Sequence, residues 1–137
     1  MSDFAELTAF AKRYAEAWCR QHPGNVAAFF AENGSLRVND AAPAIGRAAI
    51  AETARGFMRA FPDMIVTFDK LERQGDRTAF HWTLTGTNTG PGGLGKKVRI
   101  SGYELWTIDQ NGLIAESKGH FDHAEYERQL EHGADEP

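Results

Sequence analysis

The sequence has a single cysteine, Cys19, in 137 residues, which excludes an internal disulfide and every zinc motif built from several cysteines. It has no run approaching the ~18 apolar residues of a membrane span. It also lacks an excess of positive charge. Lys and Arg number 15 against 19 Asp and Glu, a net charge of −4, and the basic residues are scattered, so nucleic acid is not an expected partner. The first residues, MSDFAELTAF, carry acids early and no uninterrupted apolar stretch, so neither a signal peptide nor a membrane partner is expected, and a cytoplasmic location is. His120 and His123 are three apart across a strand–helix junction and, even with His81, no third ligand converges on them, so neither a metal nor another cofactor is expected. What remains is an ordinary globular balance, 42% apolar and 25% charged. That length and balance suit one domain over residues 1–137, with the polar end HGADEP, residues 132–137, expected to fray.

Hydrophobic periodicity divides the chain into helices first and long strands after. Phe4, Leu7, Phe10, Ala11, Tyr14 and Trp18 recur at helical steps and predict a helix from Asp3 to His22, with Ser2 as a candidate N-cap and Pro23-Gly24 as its stop. Asn25 is placed to cap a short second helix, Val26 to Glu32. A short strand, Ser35 to Asp40, precedes a third helix, Arg47 to Phe61, whose apolar face carries Ile50, Ala54, Phe57, Met58 and Phe61. Met64 to Arg73 and Thr78 to Asn88 alternate as strands about a turn at Gln74-Gly75-Asp76, and Phe80, Trp82 and Leu84 share one face. Three helical segments followed by long antiparallel strands imply an α+β fold with the helices on one side of a sheet.

The stretch Val98 to Leu130 holds the candidate chemistry. Asn111-Gly112 suits a two-residue hairpin turn in which both residues take positive φ. With no bulge, His120 faces Tyr103 and Asp122 faces Ser101, which puts Tyr103, His120 and Asp122 on one side of the sheet. A phenol, an imidazole and a carboxylate so placed can exchange protons; the same three residues also suit a solvated face. Asp122 has a structural role open to it as well, since it precedes a helix and Glu125 stands at the capping-box position.

Gly90-Pro91-Gly92-Gly93-Leu94-Gly95-Lys96-Lys97 imitates nucleotide-binding glycine motifs by letter. Those motifs need a helix to follow at once, so that its N-terminal N–H groups meet the phosphates, and a strand follows here. The expected role is a flexible connection between two strands.

Tyr14-Ala-Glu-Ala-Trp18, the loop Gly86-Thr-Asn-Thr-Gly90-Pro91, Asn111-Gly112-Leu113-Ile114 and the closing Phe121-Asp122…Gln129-Leu130 follow one another in a familiar order. In that order the chain, from about Phe4 to Gly133, resembles the nuclear-transport-factor-2-like (cystatin-like) superfamily, and within it the SnoaL-like polyketide cyclases and their uncharacterised relatives. The resemblance implies a cone-shaped, curved antiparallel or mixed sheet wrapped around three N-terminal helices. It also implies a mostly apolar pocket at the open end and a homodimer formed through the outer sheet face. Candidate pocket walls are Trp18, Phe57, Phe61, Trp82, Tyr103 and Trp106, with core packing as the alternative for each.

By the same resemblance Asp122 inherits the acidic position with which SnoaL-like cyclases shuttle a proton in an aldol ring closure. Their helping histidine on the preceding strand has no counterpart among Tyr103, Glu104 and Trp106, and His120 is the candidate substitute. Ketosteroid isomerases, which share the fold, match at Tyr14, their oxyanion-binding tyrosine, but offer only Val38 where they carry a general base. The Asp–Arg–Asp set of limonene-epoxide hydrolases is not assembled by Arg99, Asp69 and Asp122. Fold does not carry function with it. Two classes follow: an isomerase or cyclase acting without cofactor on a small apolar carbonyl compound through Asp122, His120 and Tyr14, or a non-catalytic dimeric module binding a ligand or protein in the cone.

Overall fold

A computed structural model of the chain describes residues 4–134; the expected cap at Ser2 and residues 135–137 of the tail lie outside the described residues. The elements in chain order are α1 (Phe4–Cys19), α2 (Pro23–Ala27), β1 (Phe30–Val38), β2 (Ala44–Ile45), α3 (Arg47–Ala60), β3 (Ile65–Gln74), β4 (Arg77–Thr87), β5 (Lys97–Ile108), β6 (Ile114–Phe121) and α4 (His123–His132). The strands form one open sheet in the order β2-β1-β6-β5-β4-β3, in which the β1–β6 pair is parallel and every other pair antiparallel. This is the α+β architecture expected. No helix among the described residues is long and apolar enough to cross a membrane.

Periodicity explains which faces meet. α1 buries Leu7, Ala11, Tyr14, Ala15 and Trp18, and α3 buries Ile50, Ala54 and Met58. Phe4, expected inward, stays exposed at the start of α1. The buried residues of the sheet include Phe30 and Leu36 from β1, Val66 and Leu71 from β3, Phe80 and Leu84 from β4, Val98, Ile100 and Trp106 from β5, and Ile114 from β6. Aromatic edges lock the layers together: the Tyr14 ring meets Phe80 and Trp106 at 5.3 and 5.4 Å, and Phe80 stacks on Trp106 at 4.9 Å.

The second helix differs from expectation. It ends at Ala27, and its cap is His22, whose Nδ1 accepts from the Asn25 N–H at 3.2 Å, with Pro23 in the first turn. Phe30 is already strand, because it pairs with Ile114 and its ring is fully buried. Sheet pairing there overrides the helical preference of the local sequence.

The turn between β5 and β6 also differs, and the difference cancels. Asn111 is not left-handed; Gly112 is, with φ 80°. The loop is wider, closed by the Asp109 N–H donating to the Leu113 carbonyl at 2.8 Å, and the Asp109 carboxylate accepts from the N–H groups of Asn111 and Leu113. An irregularity between Thr107 and Ile108 then restores the register, so Tyr103 does pair with His120. A second irregularity, between Phe68 and Lys70 on β3, turns Leu71 inward after Val66 and Phe68.

The glycine loop is docked rather than free. The Gly90 N–H and Asn88 Nδ2 both donate to the Ala60 carbonyl at the end of α3, at 3.3 and 3.1 Å. A Cβ at Gly90 would strike the Arg59 carbonyl, so this approach requires glycine.

Candidate functional site

β5 sends Val98, Ile100, Gly102, Glu104 and Trp106 to the helix side of the sheet, which puts one carboxylate in an otherwise apolar row. Glu104 is buried, and three elements supply its partners. Its Oε1 accepts from Ser117 Oγ on β6 at 2.8 Å, from Trp106 Nε1 at 2.9 Å and from Tyr14 Oη on α1 at 3.1 Å. Oε2 has only the same phenol, at 3.2 Å. Burial pushes the Glu104 carboxyl above its ordinary value, opposed by the hydrogen bonds from Trp106, Ser117 and Tyr14. Burial, and then the charge of Glu104, hold the Tyr14 hydroxyl well above the usual phenol range, so the phenol keeps its proton and donates.

Glu104 forms part of the wall of a cavity of about 660 Å³, open mouth included. Trp18 and Phe57 close it from the helices, Leu36 and Val38 from β1, and Phe121 and Tyr126 from the β6–α4 junction. Glu104 is the one carboxyl in a wall of aromatic and aliphatic side chains. Trp82 lines the same cavity. It pairs with Gly102 across the β4–β5 ladder, and a Cβ at Gly102 would come within 2.8 Å of the indole Cζ2. The glycine therefore lets the indole lie against β5. Trp82 Nε1 is buried and has no protein partner; an unpaired buried donor costs about 1–3 kcal/mol.

The residues singled out from sequence scatter around this centre. Trp18, Phe57 and Trp82 line the cavity. Phe61 and Trp106 do not: both are fully buried, Phe61 against Tyr126 and Gly86, Trp106 under Glu104 as a donor. Tyr103 lies on the opposite face of the sheet, because its odd position on β5 points away from Glu104. There it stands between His81 and His120, with ring centroids 5.6 and 5.0 Å away. His120 is thus on the outer face and does not meet the cavity. Asp122 is exposed at the start of α4, where its Oδ1 accepts the Glu125 N–H at 3.0 Å. Glu125 turns its own carboxylate to Arg128 and Gln129, and the Arg128 contact first pulls it down to about 2. Tyr14 is buried at the centre, but its hydroxyl is already committed to Glu104. The expected grouping of Tyr103, His120 and Asp122 therefore resolves into a pair on the outer face and a helix cap.

Glu104 was the residue that sequence reasoning passed over as a site. Its signal was parity: an acid on the same alternation as Val98, Ile100 and Trp106. The partners that make it tolerable, Tyr14 and Ser117, are distant in sequence and carry no local mark.

Residues 8–130 match the model of the family described as SnoaL-like polyketide cyclase. No curated protein matches the chain. Among solved structures, a putative polyketide cyclase from Xanthomonas campestris pv. campestris superposes with a TM-score of 0.80 at 20% identity, covering 94% of this chain and 99% of that one. SalBIII, an epoxide hydrolase/cyclase-like enzyme of pyran ring formation in the polyether salinomycin, gives 0.76 at 18% identity over 91% and 97%. A hypothetical protein with a ketosteroid isomerase-like fold from Catenulispora acidiphila, solved with trimethylamine, gives 0.77 at 18% identity over 89% and 92%. At such identities these likenesses establish the fold and no chemistry.

Proposed function

The chain belongs to the SnoaL-like polyketide cyclase family, and from that premise we propose that its cavity takes a small apolar, carbonyl-bearing molecule whose proton is moved by Glu104. The observation that carries the reading is a lone carboxyl, made more basic by burial, in an apolar wall. Carbon acids next to a carbonyl call for such a base. Oε1 is saturated by donors, so Oε2 is the oxygen with lone pairs to spare. In the proposed step Oε2 takes a proton from the carbon beside the ligand carbonyl, and the C–H electron pair moves into an enolate. Return of that proton to a different carbon is isomerisation. Attack of the enolate carbon on a second carbonyl of the same molecule closes a ring, and the proton goes to the new alkoxide. Tyr14, Trp106 and Ser117 are positioning residues, which fix the carboxyl and leave the chemistry to it.

Asp122 is the other carrier for this proton, supported by its place at the end of the last strand in the family pattern and by its sequence position between Phe121 and the helix that bears Tyr126, both cavity residues. Ligand is found first by thermal shift with steroids, anthraquinones, terpenes and fatty acids; a compound at 100 times its Kd stabilises by about 2.7 kcal/mol. Turnover of the hit is then compared in Glu104→Gln and Asp122→Asn. Loss in the first with retention in the second supports Glu104; the reverse pattern assigns the proton to Asp122, and binding without turnover in any form makes the protein a carrier. The reading includes pairing of two copies through the outer sheet face, where Tyr103 and His120 are half-exposed in the single chain.

A further inference from the structure

Glu104 is buried with three neutral donors for partners, Tyr14 Oη, Trp106 Nε1 and Ser117 Oγ. Among the described residues no Lys, Arg or His pairs with it, and none lines the cavity. A carboxylate taken out of water is costly unless a cation accompanies it. Around the same cavity stand the rings of Trp18, Phe57, Trp82, Phe121 and Tyr126. Neighbouring rings of this wall cross edge to face: Trp18 and Phe57 at 71° and 6.3 Å, Trp82 and Phe121 at 69° and 5.9 Å, Phe121 and Tyr126 at 71° and 5.4 Å. A sixth ring, Phe80, stacks on Phe68 and Trp106 and has its faces occupied by them. Crossed rings enclose a space as the sides of a box do, and the quadrupoles of such a box attract an organic cation. We infer that the cavity takes an apolar ammonium ion, tertiary or quaternary, held among these rings with Glu104 as its counter-charge.

The inference rests on the reading of the cavity as a ligand site and names the charge of its occupant. No hydrogen bond to a carboxylate oxygen is required. A quaternary nitrogen has no N–H, and its attraction to a charge and to aromatic rings acts through the methyl groups around it. The titratable residues beside Glu104 are Tyr14 on α1 and Tyr126 on α4, and every other wall residue is uncharged. Burial raises both phenols above their ordinary value, so both stay neutral and the charge of the site follows Glu104 alone. The base proposed above must itself be ionised before it can take a proton, and a cation beside Glu104 favours that form. The apolar wall selects against sugars, and phosphates and carboxylates would meet Glu104 as like charges.

The test uses a shape-matched pair, phenyltrimethylammonium and tert-butylbenzene, in which a charged nitrogen replaces a neutral carbon. Binding of each to the whole protein is followed by calorimetry from about pH 5 to about pH 8, in buffers of differing ionisation heat. A merely apolar cavity favours tert-butylbenzene, since the cation loses its hydration on entry. Near pH 8 wild type should instead prefer phenyltrimethylammonium about thirtyfold. The preference should shrink as pH falls and Glu104 takes up a proton. At the lower pH the cation should release that proton on binding, and tert-butylbenzene should release none. Glu104→Gln should abolish both the preference and the release. If Glu104→Gln does not fold, proton release by the wild type still decides, and Phe57→Leu should narrow the preference by removing one ring. Tighter binding of tert-butylbenzene, cation binding without proton release, or a preference unchanged in Glu104→Gln overturns the inference and leaves the apolar cavity standing. Failure of both to bind overturns the cavity reading and this inference with it.

Discussion

Replacing Tyr14 by Phe removes one oxygen and leaves in place a ring packed against Trp18, Phe29, Phe30, Phe80 and Trp106. The change removes the hydroxyl's bonds to Glu104 and to the Trp18 side chain, and only the first varies with the charge of Glu104. A bond to a charged partner contributes about 1.5–3 kcal/mol and one to a neutral partner about 1 kcal/mol. The cost should depend on which form of Glu104 is present. Its folded pKa lies above the ordinary 4.5, and Tyr14 is among the groups that hold it down, so Tyr14→Phe raises it further. A raised carboxyl pKa means that stability is fully present below the ordinary value and falls as pH rises through the folded one. The fall should be larger in the variant. Its deficit should grow from about 1 kcal/mol at acid pH to about 2–3 kcal/mol once Glu104 is ionised. Urea unfolding from about pH 4.5 to about pH 9 measures this directly. In a Glu104→Gln background the pH dependence of the Tyr14→Phe deficit should vanish. A deficit that is flat in pH, or below about 0.5 kcal/mol throughout, would refute the network as the reason Glu104 is tolerated.

Other changes follow from the same geometry. Ser117→Ala removes the 2.8 Å bond to Oε1, one of the contacts lowering the Glu104 pKa, so the pH midpoint of turnover or ligand binding should move upward. Gly102→Ala puts a Cβ against Trp82 and the His120 carbonyl and should destabilise by about 1–3 kcal/mol in chemical denaturation. Asp122→Ala should cost about 1 kcal/mol through the lost cap, with Asp122→Asn nearly neutral, as unfolding curves will report. Tyr103→Glu on the outer face should halve the mass seen in sedimentation if two copies pair there, and leave Glu104 chemistry untouched.

Much of the architecture was legible because it is periodic. The stripe Leu7, Ala11, Tyr14, Trp18 and the alternations of β3, β4 and β5 depend only on each residue's own element. The Tyr103–His120 pairing was legible too, although a wider loop and a compensating irregularity reached it by another route. The end of α2 was not, because Phe30 becomes strand by pairing with Ile114, more than eighty residues away. The docked glycine loop was equally hidden, since its partner is the exposed end of α3.

The sequence by itself determined the order of elements and the parity that aligns Glu104 with Val98, Ile100 and Trp106, since these follow from local periodicity, while the apolar cavity was implied only by the family resemblance. Tertiary structure alone decided that Tyr14 gives its hydroxyl to Glu104, that Trp82 keeps an unpaired donor, and that Asp122 caps a helix while Tyr103 and His120 face outward. Hydrogen-bond satisfaction is a property of groups brought together from distant segments, and no segment carries it alone.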